Sequence, residues 1–480
     1  MSTSAPSRPR GGASAASVVN PYPLRYPDSA SPEYMRRRAW WLIGLNLLVP
    51  GSAQVLAGNR RLGRFGLGAT LVIWVLAVVA GVTALAWRGV FLAVATNWFT
   101  LVAVQALLVA YAVLWIVLTL DVLRLVRLVR LRPLARVGTA LTAIVLLVLA
   151  SGGAVYAAGR VGIARDAIGE VFTQTGPAIP PVDGYYNILL LGADSGEGRD
   201  SMRYDSISVV SVNAETGAVT IFGIPRDMPN VPFSPGPMQD LYPDGHTSHA
   251  DETCGWGSGI NQIRTEVVVC RDGSALYPDA VAAGSDPGIE ATREAAEGVL
   301  GIEIPFYVFI DMNGFAALID ALGGVDIEVS ERLPEGWGPT YDGQPAEEWA
   351  IGWIEVGPQH MDGDTAQWYA RSRYTTNDWD RMQRQRQLQE AILAQFNPGN
   401  VLSRFQEIAT AGTHLVQTDI PQSMLGEFVE LGIKAKEQPV QTLDLIPQNG
   451  IDDRDPDFAY IHELVQSLLH PPQPTETPVP

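Results

Sequence analysis

The stretch "YYNILLLGADSGEGRDSMRYDSISVVSVNAETGAVTIFGIPRD" (Tyr185–Asp227) sets the fold class. Its first apolar run, "YYNILLLGAD", closes on a loop rich in Gly and Asp, the pattern of a buried strand feeding a site. "YDSISVVSVN" and "AVTIFGIPRD" then read as two strands joined by a turn at Asn213–Gly217. Further on, "PGIEATREAAEGVLG" (Pro287–Gly301) has helical periodicity, and "IPFYVFID" (Ile304–Asp311) reads as another strand. A short helix at Asn313–Leu322 and a strand at Val325–Val329 follow. Strands interleaved with helices predict an α/β domain, a central sheet covered by helices. Two polar segments rich in Gly and Pro, Asn230–Asp286 and Glu331–Glu355, read as surface excursions, and no internal repeat is visible.

Upstream the chain changes character. Up to Arg136 fifteen arginines face only Asp28, Glu33 and Asp121, whereas the remainder holds 18 basic and 48 acidic residues. A basic half suits an anionic membrane surface, and an acidic one argues against nucleic acid. Three runs, Phe65–Trp87, Val90–Leu120 and Gly138–Ala158, are long and apolar enough to cross a bilayer. Between the last two lies "DVLRLVRLVRLRPLAR" (Asp121–Arg136), which the positive-inside rule places in the cytoplasm. The chain from about Arg160 is then outside the cell. "AWWLIGLNLLVPGSAQVLAG" (Ala39–Gly58) is broken by Asn46, Pro50, Gly51 and Gln54 and reads as a re-entrant or interfacial hairpin, with a fourth span as the alternative. These signals divide the chain into a cytoplasmic tail (1–35), a membrane region (36–159), a linker (160–183), an outer domain (184–469) and a polar tail (470–480). Both tails are expected to be disordered. Cys254 and Cys270 fall outside, where an oxidising compartment favours a disulfide. The nearby "HTSHADETC" (His246–Cys254) offers His–x₂–His and one Cys but no matching fourth ligand, so it is set aside as a zinc site.

The acidic domain contains one cationic stretch, "WYARSRYTTNDWDRMQRQRQLQEAILAQF" (Trp368–Phe396), with Arg371, Arg373, Arg381, Arg384 and Arg386. Asp378–Phe396 predicts a helix capped by Asn377 or Asp378. Its apolar stripe, Leu388, Ile392 and Phe396, continues backwards through Gln385 and Arg384 to Arg381, and Arg386 falls on another face. A buried guanidinium needs an anion. Internal carboxylates are one source; a pyrophosphate, gripped with Arg371 and Arg373 at the helix start, is the other. At the neighbouring strand ends, Asp194 and Asp205 are placed to hold Mg²⁺ against phosphate oxygens. No G-x₄-G-K-[ST] loop is present, which argues against a P-loop nucleotide enzyme.

Four blocks carry a resemblance: "NILLLGADSGEGRDSMRYDSISVVSVN", "IFGIPRD", "GVLGIEIPFYVFIDMNGFAALIDALGGVDIEV" and "VGPQHMDGDTAQWYARSRYTTNDWDRMQRQRQ". In this order they are similar to the LytR-CpsA-Psr family, from about Tyr185 to Phe396. The resemblance implies an α/β/α sandwich with a central mixed sheet, preceded here by transmembrane helices. It also implies attachment of polyprenyl-pyrophosphate-linked glycopolymers (teichoic acid, arabinogalactan or capsule) to peptidoglycan, by phosphoglycosyl transfer with Mg²⁺ or Mn²⁺. The metal-binding aspartates of the family fall on Asp194 and Asp205. Its phosphate-binding residues fall on Arg203, Arg226, Arg371, Arg373, Arg381 and Gln385, and Asp205, Arg226, Asp227 and Asp378 are the catalytic candidates. Two departures are visible: Gly223 replaces the usual Ser before Ile-Pro-Arg-Asp, and several spans replace a single anchor. Hydrolysis of the same pyrophosphate by water, as a rival or side activity, and non-catalytic binding of the lipid-glycan are the alternatives.

Overall fold

The apolar runs of the first third become helices in a computed structural model, which describes residues 24–28, 31–172, 177–193, 202–255, 257–396 and 416–471. Both terminal tails beyond these limits, and Asp194, lie outside the described residues. Among the described residues, three helices are long and apolar enough to cross a membrane: α3 (Arg60–Ala86), α5 (Trp98–Val126) with the turn that extends it to Arg130, and α6 (Pro133–Val171). The protein is a multi-pass membrane protein, with its sheet-containing domain on the extracytoplasmic side.

Two details differ from the sequence reading. The run expected from Val90 to Leu120 is divided: α4 (Arg88–Thr96) is a separate helix, and α5 begins at Trp98, with the Asn97 side chain accepting from the backbone N–H of Phe99 and Thr100. And α6 continues past Arg160 to Val171, because that segment has no proline and its glycines are too few to stop a helix.

Around Ala39–Gly58 the chain forms α1 (Pro32–Leu48) and α2 (Ser52–Ala57), turning at Gly51 with φ +96°. Met35, Ala39, Leu42, Ala53 and Ala57 pack with Val122, Val126 and Leu131. The polar residues that interrupt this stretch reach a distant helix: Asn46 donates to Thr119 and Gln54 to the Leu118 carbonyl. Arg38 is buried and donates to the carbonyls of Leu24 and Leu125. We propose a hairpin on the cytoplasmic side. Reporters at Asp28 and Arg132 are expected to give one signal and a reporter at Ser330 the opposite; a match between Asp28 and Ser330 would instead make Ala39–Gly58 a span.

The sheet-containing unit comprises residues 82–102 and 161–480. Its main sheet uses β1 (Tyr185–Ala193), β2 (Tyr204–Asn213), β3 (Val219–Ile224), β4 (Phe306–Asp311), β9 (Val416–Thr418) and β10 (Gln441–Asp444), in the order β10-β3-β2-β1-β4-β9. The sheet is mixed: β1 runs antiparallel to β2 and parallel to β4. The expected hairpin joins β2 and β3, where Gly217 takes φ +73° and Asn213 accepts from the N–H groups of Glu215 and Thr216. Two short antiparallel pairs stand beside it: β5 (Val325–Val329) with β8 (Gly357–Met361), and β6 (Leu333–Glu335) with β7 (Gly352–Ile354).

Alternation along the strands decides what each face does. Leu189, Leu191, Val209, Phe222 and Phe309 point into the larger core, with Ala295 and Val299 of α7 (Pro287–Leu300). Their neighbours Ile188, Leu190, Val210, Ile221 and Val308 point to the other face and line a cavity. After α8 (Met312–Leu322) and α9 (Gly363–Arg371), the helix α10 (Asp378–Gln395) and α11 (Leu425–Ala435) cover that face; α12 (Phe458–Leu469) completes the opposite layer. Helix α4 belongs to this unit and packs on α11. Gly426 allows the contact, since a Cβ there would come within 2.6 Å of the Ala93 nitrogen, and Gln422 donates to the Thr96 carbonyl. Asn230–Asp286 is more than a surface excursion, because Met238, Ile260, Ile263 and Val267 enter the larger core. A disulfide joins Cys254 and Cys270 within it.

Candidate functional site

A cavity of about 1120 Å³ opens between the sheet and helices α10 and α11. Its walls are mostly aliphatic, from Ile188, Leu190, Val210 and Ile221 on the strands to Leu388, Leu393 and Leu431 on the helices. Its polar residues include Arg203, Asp205, Arg226, Asp227, Arg371, Arg373, Arg381 and Gln385. These come from the start of β2, the turn after β3, the end of α9 and the first turns of α10. The elements converge because β1, β2 and β3 place their connections along one sheet edge: Ala193 pairs with Tyr204, and Ile207 with Ile224.

Arg226 is ringed by carboxylates. Its Nη1 donates to Asp205 at 2.6 Å; Asp227 stands 3.4 Å from Nε, and Asp378 3.6 Å from Nη2. Burial opposes its charge, yet Asp378, Asp227 and Asp205 together hold its pKa above the usual arginine value. Arg381, 5% exposed, donates to Asp378 at 3.0 Å and to the Asp205 carbonyl at 3.4 Å. Burial pulls its pKa down, against the pull of Asp378, and the Arg226 cation adds to the lowering. Buried Nε atoms of both Arg226 and Arg381 make no hydrogen bond. Two largely buried guanidinium groups at the polar end of an apolar cavity suit an anionic headgroup.

The outer arginines are held differently. Arg371 lies over the rings of Trp337 and Trp368, at 5.3 and 5.5 Å. Arg203 and Arg373 are exposed. Gln385 donates to the Ala370 carbonyl at 3.3 Å. Asp378 is not on the cavity wall; it stands behind the wall as the shared partner of Arg226 and Arg381. The start of α10 is also less open than expected. Asn377 accepts from the N–H groups of Trp379 and Asp380, and Asp380 accepts from Asn377, so this capping box occupies donors expected to face phosphate.

Two arginines of the cluster turn out to be architecture. Arg384 donates to the Tyr369 carbonyl at 3.1 Å, to the Ser372 carbonyl and to Thr376, with Glu331 at 3.4 Å. It fastens the turn that presents Arg371 and Arg373. Arg386, expected on an open face, is 3% exposed and pairs with Asp444 of β10 at 3.0 Å. A helix covered on two sides buries two faces, and a single apolar stripe cannot announce the second. Asn261 was also missed: it lines the cavity and donates to Asp227 at 3.2 Å.

The sequence profile of the LytR_cpsA_psr family matches residues 163–233 and 264–466. Among curated proteins, the chain is 30% identical over 237 residues to the "polyisoprenyl-teichoic acid–peptidoglycan teichoic acid transferase TagU" of Halalkalibacterium halodurans, covering 49% of this chain and 61% of that protein. The protein of the same name from Enterococcus faecalis is 28% identical over 239 residues, with coverage of 49% and 61%. The matches thus span about three-fifths of the length of these relatives. Among solved structures, Bacillus subtilis TagV superposes with a TM-score of 0.40 at 22% identity, covering 60% of this chain and 98% of that one. Protein gbs0355 of Streptococcus agalactiae gives 0.41 at 19% identity, covering 60% and 88%. The matched profile takes in both the strands that frame the cavity and the arginine-bearing helix, and on that match the chain belongs to the LytR-CpsA-Psr family.

Proposed function

We propose that this protein transfers a glycopolymer from a polyprenyl-pyrophosphate carrier to a sugar hydroxyl of peptidoglycan, with residues 184–469 as the catalytic domain. One observation carries the reading: a long aliphatic cavity whose polar end bears five arginines. An apolar tail with a doubly charged head matches both halves. The printed names of the curated relatives, teichoic acid transferases acting on polyisoprenyl-linked donors, support the same class.

In this reading Arg226 and Arg381, which both line the cavity, meet the phosphate deepest in it. Arg203, Arg371 and Arg373 hold the outer phosphate, and Gln385 adds a neutral contact. The acceptor hydroxyl oxygen attacks the phosphorus next to the glycan. A new P–O bond forms, the bond to the bridging oxygen breaks, and polyprenyl phosphate leaves with the electron pair. The arginines stabilise the charge that gathers on that leaving group. Asp227 takes the hydroxyl proton: it lines the cavity, is half exposed and stands 3.4 Å from Arg226, a looser contact than the 2.6 Å pair of Asp205, and Asp378 stands off the wall. Asp205, a partly exposed carboxylate on the cavity wall with one oxygen on Arg226, leaves its second oxygen for a hard cation. Asp205 with Asp194 would hold Mg²⁺ or Mn²⁺, and the ion when bound supplies neutralisation of the pyrophosphate oxygens.

The test is incubation of the full chain with a defined lipid-linked glycan and peptidoglycan. Glycan joined to the wall by a phosphodiester, with polyprenyl phosphate released, is the expected result. Release of the glycan phosphate to water alone would favour the hydrolase, and tight binding without either product the non-catalytic reading. Tail length adds a second measurement. Each buried methylene contributes about 0.8 kcal/mol, so donors lacking an isoprene unit should bind more than tenfold more weakly. Affinity independent of tail length would remove the cavity from the donor site.

A further inference from the structure

Away from the cavity, His246, His249 and Glu266 come together beneath the Cys254–Cys270 segment. One ring nitrogen of each histidine and one carboxylate oxygen lie within 4.8 Å of one another, a set able to coordinate a divalent metal. All three residues are buried, at 1%, 7% and 0% exposure. Both ring nitrogens of His246 and Nε2 of His249 are buried with no hydrogen-bond partner. An imidazole packed purely as architecture normally has at least one nitrogen bonded, so three orphaned nitrogens in one cluster call for a missing partner.

Glu266 is already aimed. Its Oε1 accepts from the Tyr242 hydroxyl and from Arg271 Nε at 2.5 Å, which fixes the carboxylate plane. Its Oε2 faces His249 Nδ1 at 3.1 Å and accepts from the Ala250 N–H at 3.1 Å. Ligands oriented by outer hydrogen bonds in this way are the usual arrangement around transition metals. Two imidazoles and one carboxylate suit a zinc-class ion, whereas Mg²⁺ prefers oxygen and retains its waters. The nearby Arg271 cation makes the site harder still for a weakly held ion.

We propose that His246, His249 and Glu266 bind a zinc-class divalent cation that fastens the Asn230–Asp286 segment to the domain core. The segment is where such a fastening acts. Ile260, Ile263 and Val267, within the loop closed by the disulfide, enter the core, and Asn261 accompanies them to Asp227 and the Arg226 carbonyl. The ion would therefore brace one wall of the cavity without touching donor.

The experiment uses the full chain in detergent, without a histidine tag, stripped by chelator. It is then incubated with zinc chloride in excess Mg²⁺, desalted and analysed for metal. About one zinc per chain is expected for the wild type, with near-background zinc in His246→Ala and His249→Ala. Zinc should raise the melting temperature of the wild type, by an amount on the order of 5 °C, and leave the variants unmoved. Cobalt(II) provides an arm that needs no variant: intense visible bands of a four-coordinate site should appear in the wild type and vanish on adding zinc. Wild-type protein that retains no zinc, or gives no such cobalt bands, overturns the proposal. So does equal zinc in the folded histidine variants.

Discussion

Replacing Arg386 with alanine should destabilise the folded domain by about 3–5 kcal/mol, because it leaves a carboxylate buried and unpaired. Arg386 Nε donates to Asp444 Oδ1 at 3.0 Å, and Asp444 is itself buried at the end of β10. Burial lowers the arginine pKa, and Asp444 first and Glu390 second work against that lowering, so the cation is held in place chiefly by Asp444. For a domain of this size the loss corresponds to a fall of roughly 10 °C in melting temperature. Gly223 belongs to the same unit. A Cβ at that position would lie 1.9 Å from Asp444 Oδ1 and 3.1 Å from Arg386 Nε, so this chain's departure from the family's usual serine makes room for the pair. Gly223→Ser should therefore lower stability in the same direction, by displacing the carboxylate. Joint replacement, Arg386→Met with Asp444→Leu, should recover most of the loss, since it leaves no lone charge. Thermal melts of the ligand-free variants decide the matter. An Arg386→Ala protein that melts with the wild type would show that the pair carries no stability.

Local pattern made the sheet legible. The apolar run at Tyr185–Ala193, the Asn213–Gly217 turn and the helix cap at Asn377 or Asp378 all involve residues a few positions apart, and the structure forms the strand, the turn and a cap at Asn377. What escaped depends on distant partners. Arg386 looked exposed because Asp444 lies 58 residues away, on a strand the helix crosses. Periodicity left Arg384 open between an internal partner and a phosphate, because the carbonyls it fastens, on Tyr369 and Ser372, carry no side-chain signal. His246 and His249 lacked a further ligand in their own stretch because Glu266 arrives 17 residues beyond His249, on another turn. Arg88–Thr96 merged with its neighbouring span because both are apolar, and the Asn97 cap and packing against α11 separate them. The arginines lining the cavity were recognised through the family blocks more than through periodicity. Periodicity placed Arg381 and Arg384 on one face and could not distinguish their uses.

That distinction gives the largest expected effect on donor binding. Arg371→Ala, Arg373→Ala and Arg381→Ala should each weaken a polyprenyl-pyrophosphate donor by about ten- to a hundredfold, as a charge-assisted contact is worth roughly 1.5–3 kcal/mol. Lysine should rescue poorly, because it brings charge without the two-pronged guanidinium geometry. Arg381 is the decisive case, being as buried as Arg386 yet differently partnered. Asp378 pairs with Arg226 as well, at 3.6 Å, and its side chain is 35% exposed, so removing Arg381 leaves no stranded carboxylate. Burial and the Arg226 cation both disfavour the charge on Arg381 in the empty protein. Ligand-free Arg381→Ala should accordingly melt with the wild type or slightly above it, where Arg386→Ala melts well below. Titration of each folded variant with a fluorescent lipid-pyrophosphate donor completes the comparison. Normal donor affinity in Arg381→Ala, with a large fall in melting temperature, would make Arg381 part of the architecture and move the headgroup site elsewhere.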